Sequence, residues 1–124
     1  MYPKIMLVDD EPDVCEAVCH YFSKRDYKVV TATSGEEALS KLLIEKPALI
    51  LLDIYMPKMD GIECLQRIRE LDKEVLVIMV TCANDKDKAK KCLELGATDY
   101  IVKPLGYNAL ELAVITHLFL KSAK

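Results

Sequence analysis

Ala48-Leu49-Ile50-Leu51-Leu52-Asp53 is an unbroken apolar run closed by a carboxylate. A strand with one wet face alternates apolar and polar residues, so such a run describes a strand covered on both sides, as in a parallel sheet between helical layers. Runs of similar character occupy residues 4–9, 28–32, 75–81 and 99–102, and the intervening stretches carry apolar residues at i, i+3, i+4 spacing. The first helical stretch starts at Pro12, a residue suited to a first turn, and aligns Val14, Ala17, Val18, Tyr21 and Phe22. Ser34-Gly35-Glu36-Glu37 has the form of a capping box, with the Ser34 hydroxyl and the Glu37 carboxylate each satisfying the other residue's backbone amide, and Leu39, Leu42 and Leu43 follow as the apolar face. Helices over residues 61–70 (Ile62, Leu65, Ile68), 86–95 (Ala89, Cys92, Leu93) and 108–121 complete the set, with a left-handed C-cap expected at Gly96. Five strand-helix pairs joined by short links predict one α/β domain over residues 1–124: a (βα)5 doubly wound, five-stranded parallel sheet with helices on both faces.

The length of 124 residues suits a single core. Seventeen Lys and Arg against twenty Asp and Glu give a net charge of -3, which leaves no basic footprint and argues against direct nucleic-acid binding. The longest apolar runs, such as 48–52 and 112–115, fall far short of the ~20 residues a membrane span requires, and Met1-Tyr2-Pro3-Lys4 leads into a strand rather than a signal sequence. Five cysteines, odd in number and without a CxxC pair, suit a reducing compartment, so a cytoplasmic protein is expected.

In doubly wound sheets ligands sit at the carboxyl ends of the strands. Here those ends carry Asp9-Asp10-Glu11, Asp53, Thr81 and Lys103-Pro104. Carboxylates held close repel one another unless a cation neutralises them, and a cluster of hard oxygens suits Mg²⁺ or another divalent ion such as Mn²⁺. The plainer reading makes Asp9, Asp10 and Asp13 favourable charges at a helix N-terminus, worth ~0.3–1 kcal/mol each. It does not account for Asp53, a costly lone carboxylate at the end of an apolar strand. Lys103 alone would read as a surface lysine. Beside a metal and a carboxylate it supplies a point charge for phosphate oxygens, and Thr81 adds a hydroxyl donor. Asp53 is then the best-placed nucleophile for acyl-phosphate chemistry.

In this order and spacing, Asp9-Asp10-Glu11, Leu51-Leu52-Asp53-Ile54-Tyr55-Met56-Pro57-Lys58-Met59-Asp60-Gly61, Thr81 and Lys103-Pro104 resemble a bacterial response-regulator receiver domain, the CheY-like form of the flavodoxin-like fold, over nearly the whole chain. The resemblance implies strand order 2-1-3-4-5. It also implies a phosphoacceptor of two-component signalling, with Asp53 receiving the phosphoryl group from a sensor histidine kinase or phosphotransfer protein. Asp10 would bind Mg²⁺ directly, Asp9 largely through water, and Asp53 and the Tyr55 carbonyl would be further ligands. Lys103 and Thr81 would contact the phosphoryl oxygens, Thr81 and Tyr100 would form the switch, and the Lys103-Pro104 peptide would be cis. Tyr55 and Ala83 would govern water access. The domain would catalyse its own phosphorylation and dephosphorylation and turn over no separate substrate. Two positions depart from the family pattern, Cys82 where a small Ala is usual and Leu105 where Phe is common, and neither removes a charge or a ligand.

Lys86, Lys88, Lys90 and Lys91 make the fourth helix basic in an acidic protein, a charge pattern that selects partners. Along residues 110–120 of the fifth helix only Glu111, Thr116 and His117 are polar, and they form no solvent face. Leu112, Ile115 and Phe119 share one side and predict an interface, with a second copy through helix 4, strand 5 and helix 5, a downstream target or a C-terminal output domain. His20 and His117 read as lone histidines. Three alternatives remain: an aspartyl phosphohydrolase of the haloacid-dehalogenase type needs an Asp where Tyr55 stands, an FMN carrier needs a phosphate cradle where Asp9 to Asp13 repel one, and a phosphorylation-independent adaptor leaves the acidic site unused.

Overall fold

Residues 3–103 and 106–122 are described by a computed structural model. Along the chain run β1 (Lys4–Val8), α1 (Pro12–Ser23), β2 (Lys28–Ala32), α2 (Gly35–Glu45), β3 (Leu49–Asp53), α3 (Gly61–Leu71), β4 (Leu76–Cys82), α4 (Lys86–Glu94), β5 (Asp99–Lys103) and α5 (Tyr107–Ser122), with a 3-10 turn over Ala83–Asp85 before α4. The strands form one parallel sheet in the order β2-β1-β3-β4-β5.

β3 lies at the centre with all five residues buried, which is why its sequence shows no alternation. Successive side chains enter opposite layers. Ile50 and Leu52 join Met6, Val8 and Met79 beneath α2, α3 and α4, while Leu49 and Leu51 join Ile5, Leu7 and Ile78 beneath α1 and α5. Each buried side chain of this size is worth about 1.5–3 kcal/mol, so neither face tolerates a polar residue at mid-strand.

The helical stripes differ from expectation in detail. α1 buries Cys15, Val18 and Phe22, and Phe22 packs edge-on between Tyr21 and Tyr27. Ala17, expected on that stripe, is exposed. α2 turns Ala38 and Leu42 inward; one residue is 100° of rotation, so Leu43 faces solvent, at 59% exposure. In α4, Ala89 and Cys92 are buried and Leu93 is exposed for the same reason.

The Ser34 hydroxyl accepts the Glu37 amide at 3.1 Å, as a capping box requires. The return bond shifts by one residue, because Glu37 Oε1 takes the Thr33 amide at 2.7 Å and the Thr33 hydroxyl at 3.2 Å. Gly96 follows α4 with φ of 108°, where its amide and that of Ala97 close onto Leu93 and Cys92, as expected of a left-handed stop.

Sheet register brings the strand ends level. Val8 lies beside Leu52, Asp53 beside Val80, Thr81 beside Val102 and Cys82 beside Lys103. The expectations for Pro104, its cis peptide and Leu105 lie outside the described residues.

Candidate functional site

Among the described residues the buried polar side chains are Asp9, Asp53 and Thr81, at 4%, 7% and 1% exposure, and all three stand at this one sheet edge. The same local device turns the chain out of β1 and β3. Asp9 Oδ1 accepts the Glu11 amide at 2.9 Å and Asp53 Oδ1 accepts the Tyr55 amide at 3.0 Å, each a carboxylate bonding two residues ahead. Asp53 Oδ2 faces Lys103 Nζ at 3.4 Å, longer than a tight charge-assisted bond. Asp9, Asp10 and Asp53 bring carboxylate oxygens within 4.8 Å of one another.

The plainer helix-capping reading does not hold for this cluster. The N-cap of α1 is Glu11, without a side-chain cap bond, and only Asp13 sits in the first turn. Burial pushes the Asp9 carboxyl above the usual carboxylate range, with the charges of Asp53 and Asp10 adding to the shift and the Glu11 amide and Lys103 opposing it. A carboxyl raised in this way destabilises the fold when ionised. The penalty is absent below the ordinary carboxylate pKa and grows as pH rises through the raised one. Asp9→Asn keeps the acceptor for Glu11 and removes the charge, so the metal-free variant is expected to melt a few degrees above wild type at pH 7, with the gain shrinking in acid. Melting curves across pH check this; an unchanged or lowered melting temperature at pH 7 would contradict it.

Thr81 Oγ1 is buried and has no hydrogen-bond partner among the described residues. A hydroxyl left in that state costs roughly 1–3 kcal/mol, which a ligand able to accept its hydrogen would recover. Tyr100 is half-buried against the core beneath α2, α3 and α4. Lys103 lies on the solvent side, its side chain 45% exposed.

Around the mouth of the site stands a polar group that sequence reading saw only in pieces. Lys88 Nζ donates to the Tyr55 hydroxyl at 3.2 Å and lies 4.8 Å from the centre of its ring, and Cys82 Sγ donates to Asp85 Oδ2 at 3.2 Å. Tyr55 and Lys88 are 33 positions apart, so no local spacing announces the contact.

His117, read as lone, pairs with Asp99 Oδ2 at 2.8 Å, while Asp99 Oδ1 accepts the Tyr100 amide. Its partner is on β5, not on its own helix, which is why helical spacing missed it. Glu111 accepts the Tyr21 hydroxyl and pairs with Arg25, and the Thr116 hydroxyl donates to the Leu112 carbonyl. The polar side chains of α5 are thus engaged within the protein, while Leu112, Ile115 and Phe119 are 66%, 45% and 68% exposed. Among the described residues no helix is long and apolar enough to cross a membrane.

Residues 5–115 match the response regulator receiver domain family, and the chain belongs to that family. It is 36% identical over 122 residues to sporulation initiation phosphotransferase F of Bacillus subtilis, covering 98% of both chains. It is 40% identical over 104 residues to the alkaline phosphatase synthesis transcriptional regulatory protein PhoP of the same organism, covering 84% of this chain and 43% of that regulator. The chain thus spans less than half the length of several relatives it matches. Among solved structures, Vibrio cholerae chemotaxis protein CheY4 superimposes with a TM-score of 0.88 at 29% identity, over 94% of this chain and 98% of that one. NtrX from Brucella abortus gives 0.93 at 28% identity, over 99% of this chain and 28% of that one. Receiver domains of two-component systems partner with histidine kinases or phosphotransferases, and the Asp9, Asp10 and Asp53 cluster is consistent with the divalent-metal site typical of them.

Proposed function

We propose that the domain takes a phosphoryl group onto Asp53 from a phosphohistidine of a sensor kinase or phosphotransfer protein in the cytoplasm. The observation that carries the reading is the buried, unpartnered Thr81 hydroxyl on the strand beside Asp53. Asp53 Oδ1 is tied to the Tyr55 amide, which leaves Oδ2, the oxygen facing Lys103, as the attacking atom. As Oδ2 bonds to phosphorus, the phosphorus-nitrogen bond breaks and its electron pair returns to the imidazole. Lys103 offers an ammonium to one phosphoryl oxygen and Thr81 a hydroxyl to another. Asp10, Asp53 and the Tyr55 carbonyl would hold Mg²⁺, with Asp9 acting through water, and the three clustered carboxylates, one of them raised by burial, fit a hard cation. When bound, such an ion offsets the charge of the carboxylates and of the transferring group.

Movement of Thr81 toward the phosphoryl group vacates space for Tyr100 to turn inward, which changes the face made by α4, β5 and α5. That face combines the exposed lysines of α4 with Leu112, Ile115 and Phe119, and suits a downstream target, an output domain or a second copy of the chain. Intact mass after incubation with acetyl phosphate and Mg²⁺ tests the reading. A single phosphoryl adduct that is lost with a chelator is expected. Failure to form it with both acetyl phosphate and a phosphorylated kinase would leave a phosphorylation-independent adaptor as the better reading.

A further inference from the structure

Tyr55 is the residue through which the β3–α3 loop and the start of α4 meet at the mouth of the acidic site. Its amide is fixed to Asp53 and its side chain, 43% exposed, reaches across to Lys88 in the first turn of α4. A tyrosine this open to solvent is fixed only in part by packing. What else holds it is polar. Lys88 donates to the hydroxyl oxygen at 3.2 Å and lies 4.8 Å from the centre of the ring. Asp85 is fastened to the end of β4 by the Cys82 thiol. Two side-chain bonds are thus seen here, Lys88 donating to Tyr55 and Cys82 donating to Asp85.

Lys88 stands where a cation is otherwise unfavourable, near the positive end of a helix dipole and beside Lys86. Its contact with Tyr55 compensates for that location. The bond to Asp85 accounts for the departure at Cys82. A thiol there reaches Asp85, which a methyl group could not do.

We propose that Lys88 is a positioning residue that holds Tyr55 across the mouth of the site and so lengthens the lifetime of the Asp53 acyl phosphate by limiting the approach of water. The inference rests on Asp53 being the phosphoacceptor. In the step it controls, a water oxygen bonds to phosphorus, the bond from phosphorus to Asp53 breaks with its electron pair going to the carboxylate, and the water proton leaves with the phosphate. A ring fixed over the entry hinders the attacking water but not the carboxylate, which is already in place.

The test labels the protein with acetyl phosphate and Mg²⁺, removes the donor, and follows loss of the adduct by intact mass. Lys88→Ala is expected to shorten the half-life about fivefold, the scale of one modest hydrogen bond. Lys88→Arg, which keeps both the donor and the contact with the ring, should restore it to within about twofold of wild type. Combining Tyr55→Phe with Lys88→Ala should add little to Tyr55→Phe alone, because both changes release the same ring. Melting temperature and the rate of adduct formation should stay near wild type in Lys88→Ala, which a general structural role would not allow. A Lys88→Ala half-life equal to or longer than that of wild type, or a shortening that Arg does not restore, overturns the proposal. Absence of any adduct in the wild type with acetyl phosphate and with a phosphorylated kinase would instead remove the phosphoacceptor reading, and this inference with it.

Discussion

Asp53→Asn gains no phosphoryl group from acetyl phosphate and Mg²⁺ under conditions that label wild type, and the loss is complete within detection. The amide oxygen is a poor nucleophile, and its acyl imidate product would be far less stable than an acyl phosphate. The fold has no reason to fail with it. Asn keeps an oxygen to accept the Tyr55 amide, the bond that turns the chain out of β3, and loses only the 3.4 Å contact with a Lys103 that is half in solvent. The melting temperature should therefore stay within a few degrees of wild type, which separates lost chemistry from lost structure. Neither remaining carboxylate of the cluster can substitute. Asp9 and Asp10 follow β1, two strands from the Thr81 of β4 and three from the Lys103 of β5, whereas Asp53 ends the strand directly beside β4 and is the carboxylate that Lys103 contacts. Intact mass decides the matter. An adduct on Asp53→Asn would move the acceptor to Asp9 or Asp10 and overturn the assignment of nucleophile.

What could be read from the sequence follows from how local each cause is. The unbroken apolar run before Asp53 needs only a sheet covered on both faces, and all five residues of β3 are buried. The C-terminal ends of β4 and β5 each move one residue outward, to Cys82 and Lys103, because backbone pairing continues after the apolar run has stopped, while β4 starts one residue later than expected, at Leu76. The acidic cluster was legible too, since strand ends gather wherever parallel strands are level. The stripes of α1 and α2 were less so. The turn of a helix about its axis is set by the layer it meets, and that is why Ala17 and Leu43 face water although the periodicity admits them inside.

The long-range polar contacts were not legible at all. Lys88 with Tyr55 at the mouth of the site, and His117 with Asp99 and Glu111 with Tyr21 away from it, each join residues far apart in the chain, through side chains whose types are common on any surface. The exposed apolar side of α5 could be read, since its polar residues were too few to make a solvent face, but their internal partners could not. Thr81 is an intermediate case. Its position suggested a hydroxyl for phosphate, whereas the missing partner follows only from burial.

Gly61→Ala is expected to destabilise the protein by about 3 kcal/mol, near the upper end of ordinary overpacking, and to lower its melting temperature by roughly 10 °C. Sequence reading placed Gly61 at the start of a helix and gave no reason for a glycine. The reason is space. A Cβ there would run into the Asp53 carbonyl oxygen and lie 2.6 Å from the Ile54 Cα, both of them backbone atoms. The Gly61 amide also donates to the Ile54 carbonyl at 2.8 Å, so the helix start is held against the end of β3. Relief requires α3 to move away, which disturbs the packing of Cys64, Leu65 and Ile68, or β3 to shift, which displaces Asp53. Gly35 is the internal comparison. Its added Cβ would meet the side chain of Met59, with Sδ nearest at 2.7 Å, and a thioether can rotate where a backbone cannot. Gly35→Ala should therefore lose clearly less stability than Gly61→Ala, while phosphoryl uptake should fall in Gly61→Ala even below its melting transition. Denaturant unfolding of both variants with adduct formation measured at low temperature gives the answer; a Gly61→Ala protein within about 0.5 kcal/mol of wild type would show that the helix start is not held against Asp53 as tightly as the contact distances require.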